Sequence, residues 1–480
     1  MKRILPILLL ILILAFSGCT KREDPGAPDP KAGTTQTEKK TLVFYNLFDP
    51  EDAFRGQIQA YESEHRDIDI TYKKFQNVEE YENLVLNELA EGRGPDIFAI
   101  RNDSVQSYLK KILPSPKDTF IPETFAETFL GVANDDLVLP DADGFDQVWG
   151  VSLFIDTLAI YYNKELFRDN LPSTNKPAET WKDLEEQAFA LSKADTSIER
   201  FSLSGIALGQ AVNISHFPDI LSLLLLEEGA ELFEPLGAKA QFSRAQGVSP
   251  GTGNPFFPVK EAVKLYTSFA LPSSQHASWN LNITSLYPEQ KEIGVFARGK
   301  TAMIFGFSNM YNEIKIAIDG LARANEQTIQ MENVGVAPSP QFSTSTENGK
   351  NDAFAKYYPF VVSRTSENSE VAWDFLKFLS TRESLVEYHK KTNKPTSRQD
   401  MIEEQSTEKF WGTFARQAPY AKSLLTRQPK AFFEIFGKVV DEIVKNKTSV
   451  DAGIQTAEKQ MNCILKKMEK PESEENCFAS

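Results

Sequence analysis

Gly294-Val295-Phe296-Ala297-Arg298-Gly299-Lys300-Thr301 has the spacing of a phosphate-binding loop, in which glycine N–H groups and a lysine hold the phosphates of a nucleotide. That chemistry needs a strand before the loop and a helix after it, so that unpaired N–H groups point at the anion. Here Tyr287 to Ala297 carries a helical pattern and Thr301 to Phe305 reads as a strand. The order is reversed, and nucleotide binding is not expected. Gly306-Phe307-Ser308-Asn309-Met310 offers a serine after a strand, but a nucleophilic turn also needs a second glycine and a histidine partner. The histidines His65, His216, His276 and His389 are scattered singly, without metal-ligand spacing. In so acidic a chain no carboxylate pair stands out as a glycosidic acid and base. These residues point to no cofactor, no metal and no enzyme.

The first residues carry chemistry of another kind. Lys2 and Arg3 precede an apolar run from Ile4 to Phe16, broken only by Pro6. A membrane-spanning helix needs about 20 apolar residues, and this run is shorter, ending at Ser17, Gly18 and Cys19. Charge, apolar core and small residues before a cleavage site make a signal peptide over 1–18. Phe16-Ser17-Gly18-Cys19 resembles a bacterial lipobox with Phe in place of the usual Leu; the resemblance implies lipid on the Cys19 thiol and an extracytoplasmic protein anchored to the membrane. Residues 19–40 hold Pro25, Pro28 and Pro30 among charged and small residues, a composition that cannot bury a core and reads as a tether.

The elements that must position any site begin at Thr41. Thr41 to Asn46 alternates as a strand; Phe54, Ile58 and Tyr61 recur at helical spacing; and Ile68 to Tyr72 alternates again. A second helix through Tyr81, Val85 and Leu89 leads to the apolar strand Ile97 to Ile100. Such alternation predicts α/β layers with a parallel sheet. Thr157 to Tyr162 reads as a buried strand, Trp181 to Leu191 as a helix opened by Thr180, and Val371 to Leu379 as an amphipathic helix. Residues 235–258 read as a surface insertion. Some 440 residues exceed what one core supports, so two or more lobes are expected. With 52 Lys and Arg against 67 Asp and Glu, the formal charge is −15, which disfavours nucleic acid and anionic lipid surfaces as partners. Cys463 and Cys477 lie close to the end of the chain; a disulfide between them and two free thiols both remain open.

Phe44 to Glu51, Gly94-Pro95-Asp96-Ile97-Phe98, Phe154 to Asn163, Gly299 to Met303 and Ala372 to Leu379, in that order, resemble the family 1 extracellular solute-binding proteins, relatives of maltose-binding protein, over about the whole folded body. The resemblance implies a two-lobe, type II periplasmic-binding-protein-like α/β fold with discontinuous lobes and a ligand cleft between them. It implies a monomer that captures a carbohydrate or similar polar solute by lobe closure and passes it to an ABC permease. Crossings are expected near Gly150, Lys300 and Tyr358. That puts 41–150 and 301–357 in the first lobe, 151–300 and 358–462 in the second, and 463–480 in a polar tail.

Sugar-like ligands offer apolar ring faces to aromatic residues and hydroxyls to amides, carboxylates and Arg. Phe48 after the first strand, Trp279 in a polar loop and Phe307 after the strand ending at Phe305 are the aromatic candidates. Asn46, Asn102, Asp156, His216 and Arg398 are the polar ones. Asn102 and Asp156 stand out, because open α/β sheets bind ligands at the carboxyl ends of strands and at switch points. A peptide or polyamine receptor, a lipoprotein that binds other proteins and a hydrolase remain the alternatives.

Overall fold

The computed structural model describes residues 39–195, 200–234, 237, 239–249, 252–285, 290–342, 351–469 and 476–478. The expected signal peptide, Cys19 and nearly all of the expected tether lie outside them, as do 235, 236, 238, 250 and 251 of the expected insertion. Its described part makes isolated bridges, Phe233 to Ala240 and Val248 to Pro255.

In chain order, the strands of the two main sheets and of the crossings between lobes are β1 (Lys40–Leu47), β2 (Ile68–Phe75), β3 (Ile97–Ala99), β4 (Ile112–Leu113), β5 (Asp156–Thr157), β6 (Ala159–Asn163), β7 (Met303–Gly306), β8 (Val334–Pro338), β9 (Ala353–Lys356), β10 (Phe360–Ser363) and β11 (Ala421–Lys422). The first sheet has the order β2-β1-β3-β10-β4, with β1 parallel to β2 and β3, and β10 antiparallel to β3. Its helices include α1 (Arg55–Glu64), α2 (Val78–Ala90) and α3 (Gly131–Leu137). The Asn77 side chain accepts from Glu80 N–H at the start of α2, satisfying a donor that the first turn leaves free. Phe44 of β1 is fully buried, its ring set edge-on to Phe54 at 5.2 Å and to Phe360 at 4.9 Å, a favourable aromatic geometry.

The second sheet, β7-β6-β8, is antiparallel. It packs against helices that include α4 (Phe217–Glu227), α5 (Lys291–Ala297), α6 (Met310–Arg323), α7 (Pro429–Val444) and α8 (Val450–Glu469). Two cores result. One gathers Leu42 to Ile155 with Ala353 and Ala355 to Ala421; the other gathers Leu158 to Val334 with Phe354 and Leu424 to Leu465, joined by Phe414. The chain therefore passes between them at 155–158, at 354–355 and across 402–424.

This corrects the lobe assignment and the expected crossings. Residues 301–342 belong to the second lobe, because Met303 pairs with Tyr162 across β7 and β6. Residues 358–401 return to the first, because Phe360 pairs with Ala99 across β10 and β3. No crossing occurs near Lys300. A short apolar strand reads alike in sequence whichever sheet it joins, so its partner is settled by pairing. The polar tail is corrected as well: α8 runs on to Glu469, Leu465 is buried, and Cys463 is bonded to Cys477 with 5.5 Å between Cα atoms. The phosphate-loop pattern has the expected reversed order, with α5 first and β7 after it.

The crossings are stitched by a small sheet of order β11-β9-β5. Side chains alternate across a strand, and β9 with its extension uses that alternation to serve both lobes. Ala353, Ala355 and Tyr357 enter the first core, while Phe354 enters the second. Replacing Phe44 by Ala should cost about 3–5 kcal/mol, the range for large-to-small changes in a packed core; denaturant unfolding of the variant against the native chain measures it.

Candidate functional site

Where the carboxyl end of β3, the crossing strand β9 and the amino ends of α4 and α7 converge, a cavity of about 150 Å³ opens between the lobes. Arg101, Asn102 and Asp103 line it from the first lobe, Lys356 from the crossing, and Asp219, Lys430 and Phe433 from the second.

Arg101 and Asp103 pair through two contacts, Nε to Oδ1 at 3.1 Å and Nη2 to Oδ2, the bidentate form that fixes a guanidinium plane. Lys356 Nζ donates to Asp219 Oδ1 at 2.9 Å, and Asp219 Oδ2 lies 2.8 Å from His216 Nδ1. Burial would raise the Asp219 carboxyl, but the Lys356 ammonium and the His216 ring outweigh it and hold it at about 2. Lys356 also stands 5.7 Å above the Phe307 ring, which His216 meets edge-on at 5.5 Å. Two positions along the chain from Lys356, Tyr358 meets Phe48 edge-on at 5.7 Å. Phe48 is 43 % exposed and has φ 70°. A bulky side chain in the left-handed region is strained, and such strain persists where the surroundings hold it and a site uses it.

Of the expected residues, His216 and Phe307 meet beside Lys356, and Phe48 packs against Tyr358 two positions on; none of the three is among the residues that line the cavity. Asn102 lines the cavity, but its amide bonds to Asp136, Ser423 and Tyr357. Asp156 is buried and accepts from the N–H and hydroxyl of Ser308 and from Thr157 N–H; burial pushes its carboxyl up to about 6 against those bonds. Both tie elements together at the crossings. Asn46 is likewise buried and directs its amide to Asp49 and Tyr72.

Two candidates are overturned. Trp279 is fully buried in the second core, its indole N–H donating to Asn213 Oδ1 at 3.1 Å, so it offers no face to a ligand. The polar residues beside it in sequence read as a loop tip, but its indole is satisfied by Asn213, 66 positions away. Arg398 pairs with Asp400 and donates to Ser380 O, and it lines a separate depression with Phe120 and Phe125. The residues missed were Arg101, Asp103, Asp219, Lys356 and Tyr358. The first two flank Asn102 in sequence, and the rule that singled it out covers them equally; Asp219 and Lys356 become a pair only through folding.

Among the described residues no group of three or more His, Cys, Asp or Glu could hold a metal ion, and no helix is long and apolar enough to cross a membrane. The fold has counterparts among solved structures. The sugar-binding protein MalE of Xanthomonas citri shares 18 % identity, with 91 % of this chain and 100 % of that one covered and a TM-score of 0.67. The cyclic alpha-maltosyl-1,6-maltose binding protein of Arthrobacter globiformis gives 18 %, 89 %, 99 % and 0.65. The acarbose-binding GacH receptor of Streptomyces glaucescens gives 17 %, 89 %, 99 % and 0.64. These likenesses define the two-lobe α/β fold of periplasmic binding proteins. The chain belongs to the bacterial extracellular solute-binding proteins, whose family model matches residues 56–415. No curated protein matches it.

Two outcomes follow from this geometry. Trp279→Ala should lower stability by about 3–5 kcal/mol, as emptying a buried aromatic site does, measured by denaturant unfolding. The Asp219 carboxyl, held below its ordinary 3.8 at about 2, contributes stability that is present above the ordinary value and lost as pH falls through the lower one. Acid unfolding of Asp219→Asn should therefore lack the component that the native chain loses between pH 4 and 2.

Proposed function

We propose that the chain is the solute-binding lipoprotein of an ABC transporter, anchored outside the cytoplasm through Cys19, and that it captures a neutral carbohydrate in the interlobe cavity for delivery to a membrane permease. The observation that carries this reading is the pairing of charge in the cavity. Arg101 faces Asp103 and Lys356 faces Asp219, while Lys430 at the rim reaches the exposed Glu79, outside the cavity, at 3.0 Å. Each pair presents donors and acceptors together without a net charge, which suits hydroxyls and leaves a cation or carboxylate without a counter-ion. Phe433 and Phe354 line the cavity with apolar faces of the kind sugar rings stack on, and the half-exposed Phe48, packed on Tyr358 beside Lys356, would add another on lobe closure. The sugar and acarbose ligands named for the structural relatives point the same way. Paired charges and aromatic faces suit reversible binding, and the chain is read as a receptor, like the binding proteins of its family.

Calorimetric titration with maltooligosaccharides, spermidine and a tripeptide tests the class. Saturable binding of a neutral sugar alone is expected; binding of spermidine or peptide alone would replace the reading with a cation or peptide receptor, and release of a reducing sugar would make the chain a hydrolase. Phe48→Gly separates binding from folding. It should leave stability unchanged or raise it by up to about 1 kcal/mol, since glycine accepts positive φ without strain. Sugar affinity should fall up to about tenfold with the lost aromatic face.

A further inference from the structure

At the centre of the crossings one carboxylate is bonded to three separate segments. Asp136 Oδ2, from α3 in the first lobe, accepts from Tyr357 Oη at 2.6 Å, Ser423 Oγ at 2.5 Å and Asn102 Nδ2 at 3.2 Å. The ring closes on itself: Asn102 Nδ2 also donates to Ser423 Oγ at 2.6 Å, and Asn102 Oδ1 accepts from Tyr357 N–H at 3.2 Å. Each donor sits beside residues that face the cavity. Asn102 stands between Arg101 and Asp103, and Tyr357 between Lys356 and Tyr358. Ser423 lies on the third crossing next to Leu424, just before the start of α7 with Lys430 and Phe433. Asp136 itself does not line the cavity.

We propose that Asp136 is the positioning residue of the ligand site, its carboxylate setting the register among the three segments that carry the cleft and so the geometry in which the lobes close on a solute. This rests on the reading of the cavity as the solute site. Carboxylate bonds to several donors are the strong, directional kind, and a cleft assembled from separate segments binds tightly only when they are held in one arrangement. The Asp136 side chain is buried, and burial pushes its carboxyl up to about 6 against the three hydrogen bonds that lower it. The donors therefore favour the ionised form, and a proton gained near pH 6 weakens all three bonds.

The elements packed against α3 carry further titratable groups. Asp135 is the neighbour of Asp136 on α3, Glu123 and Glu127 come from the helix Pro122–Thr128, and Asp103, paired with Arg101, comes from the turn after β3. Tyr420 and Lys422, the latter paired with Asp352, come from the third crossing. Burial keeps the Tyr357 hydroxyl protonated and donating.

The test uses the full chain in detergent and the sugar that calorimetry selects. Asp136→Ala should bind it roughly tenfold or more weakly, the scale of losing bonds to a charged acceptor. Asp136→Asn, which keeps an oxygen among the three donors, should stay within about threefold and show a flatter fall of affinity from pH 7 to 5 than the native chain. Unchanged affinity in Asp136→Ala, or equal losses in both variants with the native pH profile, would overturn the proposal. Should Asp136→Ala fail to fold, Ser423→Ala decides: a loss of a few fold supports the proposal, and native affinity refutes it. If no sugar binds the native chain, the reading of the cavity fails, and hydrogen exchange of the ligand-free protein still judges Asp136. Faster exchange in Ser423→Ala confined to 355–359 and 421–424 supports its role, and native protection there refutes it.

Discussion

The second crossing strand constrains everything else in the structure, because it is packed between two cores and has only two faces with which to satisfy them. Alternation along an extended chain sends Ala353, Ala355 and Tyr357 into the first lobe and Phe354 into the second. Lys356 and Tyr358, in phase with Phe354, then fall where the lobes part, with Asp219 and Phe48 as their neighbours. A one-residue slip would exchange the two sets and place a lysine in the first core. The site is thus a consequence of the register that joins the lobes.

Electrostatics follow from that placement. A lysine between two cores is expensive unless its charge is met, and Asp219, itself supported by His216, meets it within 2.9 Å. The same demand for compensation accounts for Arg101 beside Asp103 and for Lys394, whose Nζ donates to Asp49 at 2.6 Å while lying 3.9 Å from the Phe154 ring. On the proposed reading, a cavity walled by such pairs would take a neutral ligand by its hydroxyls, and closure would strengthen those bonds by removing water from around them. Buried carboxylates at the crossings, Asp136 and Asp156, have the complementary task. They gather donors from separate segments and fix where the walls stand.

Much of this architecture is legible in local pattern. The alternation of Thr41 to Asn46, the helical spacing through Tyr81 and Leu89, the capped helix after Thr180 and the strand before Asn102 are all local regularities, and each forms the element expected of it. The reversed order around Gly299 is visible for the same reason. Aromatic residues at strand ends are legible too, and Phe307 is found beside Lys356 and Phe48 beside Tyr358. Trp279 shows the limit of that reasoning: a large ring among polar neighbours looks like a binding surface until Asn213, distant in sequence, is seen to satisfy its N–H.

The sequence by itself determined the class of fold, the order of its elements, the paired-lobe size and the family likeness, because these rest on periodicities of a few residues and on short motifs that survive without their partners. Only the tertiary structure decided which lobe owns 301–342 and 358–401, since β7 and β10 are equally apolar and differ only in the edge they join. It alone decided which charges meet, because Lys356 and Asp219 are 137 positions apart and Asp136 finds Ser423 across 287. Contacts at such separations leave no trace in local pattern; they come into being when two cores close around the strand they share.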